Sequence, residues 1–173
     1  MSQTRSLVYM ALLVALSLSL FLLEGLIPLP FLAPGAKLGL SNLITVFALY
    51  SLPKVRDTLL ILCTRVILSS FFGGGPTILL YSMAGGLLSF AAMVLLKRSH
   101  VFSILGVSAA GGFFHNVGQL LVASVVMESP MLWTYLPILA PCGIFTGLLI
   151  GTISYWSLKK SNAHYSNVIK KPQ

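Results

Sequence analysis

The chain has 173 residues, of which 57% are hydrophobic and only 8% are charged. Soluble domains carry about a quarter charged residues, so this composition excludes an ordinary soluble protein and indicates a polytopic membrane protein. The net charge of +8 comes from basic residues scattered between apolar stretches, which favours membrane topology over nucleic-acid binding.

Six apolar stretches follow one another, and each is predicted to be a transmembrane helix, which makes the fold all-α. Because further spans follow the first, it is predicted to be a membrane span and not a cleaved signal peptide. The second is short for a full crossing, so it is tilted, broken or begins earlier in the preceding connector. The predicted spans cover residues 7–27, 40–52, 58–72, 77–96, 105–127 and 132–158.

The distribution of basic residues predicts the topology. With the N terminus inside, nine of the eleven Lys and Arg residues lie on the cytoplasmic side, Lys37 lies outside and Arg65 lies within the third span. This asymmetry fits the positive-inside rule for a bacterial plasma membrane protein with both termini cytoplasmic. We predict one transmembrane domain over residues 1–160 and a polar, disordered tail over residues 161–173.

The first span contains a small-xxx-small pattern at Ala11 and Ala15. Small residues four apart on a helix allow another helix to approach closely. The pattern therefore indicates either docking of a partner protein or ordinary packing within this chain.

The connector before the second helix is the most distinctive loop, with Gly35, Lys37 and a helix start at Ser41 or Asn42 as its N-cap. A helix N terminus, exposed amides and a lysine together predict an anion site. The alternative is a simple connector whose lysine anchors at the lipid headgroups.

Arg65 is a charged residue inside an apolar span, and such residues pair or bind ligands. Its predicted partner is Glu24, near the outer end of the first span, or an anionic group of a ligand. After the third span, Gly73, Gly74 and Gly75 either act as a hinge for a gating loop or simply turn the chain.

The fifth span has a polar centre formed by His115, Asn116 and Gln119. His115 and Gln119 are four residues apart and share a helix face, while Asn116 lies beside that face. Polar groups in lipid are costly unless they face protein, a cavity or a ligand, so we predict a ligand-facing lining. Glycine pairs at 85–86 and 111–112 predict close helix packing around it.

Several catalytic patterns are absent from the sequence. It has no aspartate-rich motif that would hold magnesium against a diphosphate, no nucleotide-binding motif, no haem-binding pair and three acidic residues in all. We therefore predict that the chain is not an enzyme and has no metal site and no cofactor.

Three motifs resemble a bacterial family labelled Gx transporter, or heptaprenyl diphosphate synthase component I: Pro34-Gly-Ala-Lys-Leu-Gly-Leu-Ser-Asn42, Arg65-Val-Ile-Leu-Ser-Ser70 and His115-Asn-Val-Gly-Gln-Leu120. The resemblance extends over residues 7–155. That family is similar to the substrate-binding S components of energy-coupling factor (ECF) transporters, which implies six membrane helices and cytoplasmic termini. S components dock on a transmembrane coupling subunit through an Ala-xxx-Ala pattern, which Ala11 and Ala15 match.

These observations lead to three functional hypotheses. The first is an S-component-like subunit that captures a small or amphiphilic ligand from the outer face. By family association, this ligand is isoprenoid- or quinone-related. The subunit then docks on a coupling subunit that works with ATPases. Lys37 and Asn42 would bind the polar end of the ligand, and Arg65 and the polar residues of the fifth span would line the cavity. The second is a non-catalytic membrane partner of a prenyl diphosphate synthase or of a quinone- or flavin-linked electron-transfer system. The third is an enzyme acting on lipid-soluble prenyl substrates.

Overall fold

The computed structural model describes residues 3–26, 39–73 and 75–169, and these residues form an all-α bundle. A 3₁₀ helix, Pro130–Tyr135, leads directly into the last α-helix. The six α-helices are α1 (Gln3–Gly25), α2 (Asn42–Ser51), α3 (Val55–Gly73), α4 (Gly75–Arg98), α5 (Ile104–Val126) and α6 (Leu136–Ile169).

Four of these helices are long and apolar enough to cross a membrane, namely α1, α4, α5 and α6. The third helix is 19 residues long but carries Arg56, Asp57 and Arg65. The second helix has ten residues, so at about 1.5 Å per residue it covers about half of a bilayer core about 30 Å thick. Six helices are thus confirmed, and six complete crossings stay a prediction.

The predicted and observed helix boundaries agree best where an apolar stretch of sequence ends abruptly. The fifth helix was expected over residues 105–127 and runs from Ile104 to Val126. The largest difference is at the C terminus, where we predicted disorder from Ser161 onwards. That prediction is wrong for residues 161–169, because the backbone of α6 continues as a helix to Ile169, and residues 170–173 lie outside the described part of the chain.

Glycines bring α5 close to both of its main neighbours, α4 and α6. A Cβ atom on Gly112 would meet the carbonyl oxygen of Gly143 in α6, and one on Gly118 would lie 2.8 Å from the Cα of Gly85 in α4. Real side chains cannot fit at such distances, so the helix backbones are in direct contact. The close packing predicted from the glycine pairs is confirmed.

The short helix α2 lies inside the bundle and is held there by burial. Val46, Ala48 and Leu49 are at most 1% exposed. A helix of ten residues is marginal on its own in water, so tertiary packing and not intrinsic propensity determines its position. This placement puts its N terminus among the other helices and not at the protein surface.

Lys97 lies at the other end of α2. Its Nζ donates a hydrogen bond to the carbonyl oxygen of Leu49 and lies 4.8 Å from the centre of the Tyr50 ring. A cation at a helix C terminus satisfies free carbonyl groups and interacts favourably with the helix dipole. The contact also shows that α2 and α4 end at the same side of the bundle.

Candidate functional site

Buried polar side chains from four helices meet at a small cavity next to the beginning of α2. We call Glu24, Arg65, His115 and Gln119 the polar cluster; each of these side chains is at most 4% exposed. The cavity is also lined by Phe21, Gly39, Ser41 and Ser82. The space left for the centre of a water molecule is about 10 Å³, enough for about one water.

Glu24, near the end of α1, binds the backbone just before α2. Its Oε1 accepts a hydrogen bond from the amide of Gly39 at 2.6 Å, and its Oε2 accepts from the amide of Leu40 at 3.0 Å. A carboxylate at this position satisfies amides at the helix entry and complements the positive end of the helix dipole. Ser41 occupies the N-cap position, as predicted, but its hydroxyl makes no capping hydrogen bond.

Arg65 is 1% exposed, and its guanidinium carbon lies 5.9 Å from the centre of the Phe21 ring. Arg65 and Glu24 line the same cavity, and an ion pair between them stays a prediction. Its Nε and Nη2 have no hydrogen-bond partner among the residues that the structure describes. Buried donors in this state are destabilising unless another molecule completes the site.

His115 and Gln119 face the cavity together, as their spacing predicted. The side-chain nitrogen of Gln119 lies 3.1 Å from Nε2 of His115. The two side chains therefore share one hydrogen bond, in which the tautomer of His115 decides which group donates. The hydrogen bond fixes the orientation of both side chains.

Two glycines enclose the imidazole of His115. A Cβ on Gly39 would lie 3.1 Å from Cδ2 of the ring, and a Cβ on Gly85 would lie 3.0 Å from Cε1. Gly39 also has φ of +82°, a left-handed conformation that favours glycine. The ring is therefore positioned by close backbone contacts from the α2 entry and from α4.

The two asparagines predicted for the site lie elsewhere. Nδ2 of Asn116 donates to the carbonyl oxygen of Leu139 at 2.7 Å, so this side chain joins α5 to α6 and does not line the cavity. Asn42 is 4% exposed and lines a separate gap that also contains Ser108. Ligand contact by either asparagine stays a prediction.

Some predicted positions fall outside the described residues, namely Gly35, Lys37 and Gly74. Gly73 is the last residue of α3, and Gly75 is the first residue of α4 and has φ of +71°. On α1, Ala11 and Ala15 are both exposed. Their docking role and the gating role of the glycines stay predictions.

Sequence reasoning did not single out three residues that line the cavity: Phe21, Gly39 and Ser82. It had named Glu24 only as a partner for Arg65, although a lone acidic residue in an apolar helix is itself a signal of function. No sequence pattern marks Ser82, because its role depends on which faces of α4 and α5 meet.

The chemistry available at the cavity is hydrogen bonding and charge pairing. Within residues 3–26, 39–73 and 75–169, no three of His, Cys, Asp and Glu are close enough together to hold a metal ion. The site presents a guanidinium, a carboxylate, an amide, an imidazole and two hydroxyls within an otherwise apolar bundle. Such a set is suited to recognising a polar group.

Comparison with known proteins gave one match. A family model described as "Heptaprenyl diphosphate synthase component I" matches residues 13–156, well over half of the chain. Neither the curated proteins nor the solved structures contained a match.

Proposed function

Because the chain belongs to the heptaprenyl diphosphate synthase component I family, we propose that it is a non-catalytic membrane subunit that binds a small or amphiphilic ligand at the polar cluster. The ligand is captured from the outer face and passed on by a partner module. The family description names heptaprenyl diphosphate, which favours an isoprenoid-related ligand, and a quinone-related ligand is the alternative.

The observation that carries this proposal is the burial of the polar cluster. A carboxylate, a guanidinium, an imidazole and an amide lie buried together at one small cavity. Placing such groups in a membrane-embedded bundle is costly, and they mark ligand sites and translocation paths in membrane proteins. The half-length helix whose N terminus borders the site adds a feature typical of transporter binding sites.

The proposed depth of the site follows from helix geometry. Arg65 is ten residues beyond Val55, and His115 is eleven beyond Ile104, so both stand about 15 Å from these helix starts at about 1.5 Å per residue. If the basic loops are cytoplasmic, Arg65 and His115 lie near the middle of the bilayer, and Glu24, in the last turn of α1, comes from its outer half. The contact between Lys97 and Leu49 supports this topology, because it brings two basic loops to the same side.

Docking on a coupling subunit is the second part of the proposal. The exposed face of α1 carries Ala11 and Ala15 between large apolar residues such as Leu12 and Leu16. Small residues in this position allow another membrane helix to approach the backbone. The energy for transport would come from ATPases bound to that subunit.

Native mass spectrometry of the gently solubilised protein tests the binding role. The expected result is a co-purifying small molecule in the wild type that is lost in His115→Ala. A matched control is His100→Ala, since His100 is exposed in the turn between α4 and α5. Absence of any bound molecule in the wild type, or equal loss in the control, would argue against this role.

Uptake measurements test docking separately. Ala11→Leu and Ala15→Leu are expected to abolish transport while the bound molecule is retained, since the larger side chains block helix contact without reaching the cluster. Leu12→Ala, on the same exposed face, is the control and should leave transport close to the wild-type rate. Transport that survives both leucine substitutions would remove α1 as the docking helix.

A second candidate function rests on the family description. The chain would then be the membrane subunit of a prenyl diphosphate synthase, or of a quinone- or flavin-linked redox assembly, with no ligand of its own. Stoichiometric co-purification with a soluble synthase or redox protein, from cells that show no uptake, would favour this function. The polar cluster would then be structural.

A further inference from the structure

The two unsatisfied donors of Arg65 lie on the same edge of the guanidinium. Nε and Nη2 of this residue have no acceptor among the described residues, and the side chain is 1% exposed. Two parallel N–H donors on one edge match two oxygens of a carboxylate or a phosphate, and this paired geometry is the strongest that arginine makes. About one water fits the remaining space, and a ligand group would have to displace it.

The carboxylate of Glu24 lines the same cavity as Arg65 and accepts from the amides of Gly39 and Leu40. An anion bound at the free edge of Arg65 would lie near this carboxylate in a site closed to water, where two negative charges repel each other. The negative charge of Glu24 therefore weakens anion binding.

We propose that the ligand of the polar cluster carries a carboxylate or phosphate group, which Arg65 binds through Nε and Nη2 against the repulsion of the Glu24 carboxylate. This inference rests on the proposed binding function and adds the chemical class of the ligand.

The test uses the full-length protein in detergent and four probes: decyl phosphate, decanoate, inorganic phosphate and the neutral control decanol. Native mass spectrometry and thermal unfolding measure binding to the wild type, Glu24→Gln, Arg65→Lys and the surface control Glu128→Gln. The Glu24→Gln substitution removes the carboxylate from the cavity that Arg65 also lines. We expect this variant to bind decyl phosphate or decanoate about tenfold more tightly than the wild type, with no change for decanol.

The remaining variants are expected to behave differently. Arg65→Lys keeps the charge but loses the two-donor edge, so anion binding should fall about tenfold. Glu128→Gln should match the wild type. Anion binding to Glu24→Gln that is unchanged or weaker, or an equal gain for decanol, overturns the proposal. If Glu24→Gln cannot be purified, an unchanged affinity in Arg65→Lys overturns it instead.

The probes also separate the possible sources of the anionic group. A gain with inorganic phosphate indicates a free anion, whereas a gain confined to decyl phosphate or decanoate indicates an amphiphile. Stabilisation of Glu24→Gln in nanodiscs of phosphatidylglycerol, compared with phosphatidylcholine, indicates a lipid headgroup. Each of these results supports the anionic class.

Failure of this inference can be told apart from failure of the binding function. A co-purifying neutral compound that His115→Ala loses and Arg65→Lys retains leaves the binding function in place and overturns the anionic class. If nothing co-purifies and no probe binds any variant, both proposals fail.

Discussion

The carboxylate of Glu24 lies 2.6 Å from the amide nitrogen of Gly39, fifteen residues later in the chain. This hydrogen bond ties the end of α1 to the entry of α2, next to the buried charge of Arg65. A single acidic side chain thus joins three helices, and it does so at the site where we place the ligand.

Glu24→Gln tests the contribution of this carboxylate to stability. It removes a buried negative charge from the cavity that Arg65 also lines, and loss of a charge that compensates a buried guanidinium destabilises by about 3–5 kcal/mol. Glu128→Gln is the matched control, because Glu128 is exposed and a surface change of this kind stays within about 0.5 kcal/mol. Unfolding in detergent measures the loss of stability in each variant. An equal loss in Glu24→Gln and Glu128→Gln would contradict the role of Glu24.

Asn116→Ala and Gln119→Ala separate packing from ligand contact. Asn116 donates to the carbonyl oxygen of Leu139, so its loss should lower stability by about 1–2 kcal/mol and leave the co-purifying molecule in place. Gln119 lines the cavity, so its loss should remove that molecule. Thermal unfolding and native mass spectrometry measure the two effects, and the reverse pattern would mean that Asn116 is the ligand contact.

Gly85→Ala tests the contact between α4 and α5. Its Cβ would lie 2.9 Å from the carbonyl oxygen of His115, so the helices must separate, at a cost of about 1–3 kcal/mol. Gly106→Ala is the control, because its Cβ would meet nothing closer than 3.5 Å and alanine favours the helix. We expect the control to unfold at the wild-type temperature or above, and a similar loss in both variants would refute the contact.

Lys97→Met tests the cation at the end of α2. Methionine keeps the apolar stem beside Tyr50 but removes the donor to Leu49, so stability should fall by about 1 kcal/mol. The neighbouring Arg98 is exposed, and Arg98→Met should leave unfolding unchanged. Identical behaviour of the two variants would show that the contact with α2 contributes nothing.

Much of the helix pattern could be predicted because apolar runs end abruptly at charged or glycine residues. The fifth helix shows this well, since its boundaries and the common face of His115 and Gln119 both follow from local sequence. Local patterns also predicted that Arg65 needed a partner. The short α2 was also predicted within two residues at each end, and the weak point was the end of α6, where polar residues continue the helix.

The rest of the site depends on contacts between distant parts of the chain. Asn116 is offset by about 100° from His115 around the helix. The neighbouring sequence does not determine whether a side chain at that position contacts the cavity or α6. The hydrogen bonds from Gly39 and Leu40 to Glu24 likewise require α1 and α2 to be placed first. Sequence therefore identified the polar residues but not their partners.

The short length of α2 has a consequence for how the protein is made. Ten residues are too few to enter a bilayer as an independent span, whereas α1, α4, α5 and α6 are each long enough to do so. Both ends of α2 are satisfied by other helices, through Glu24 from α1 and Lys97 from α4. During biogenesis α2 can settle only after those two helices are inserted, so completion of the ligand site marks the completion of assembly.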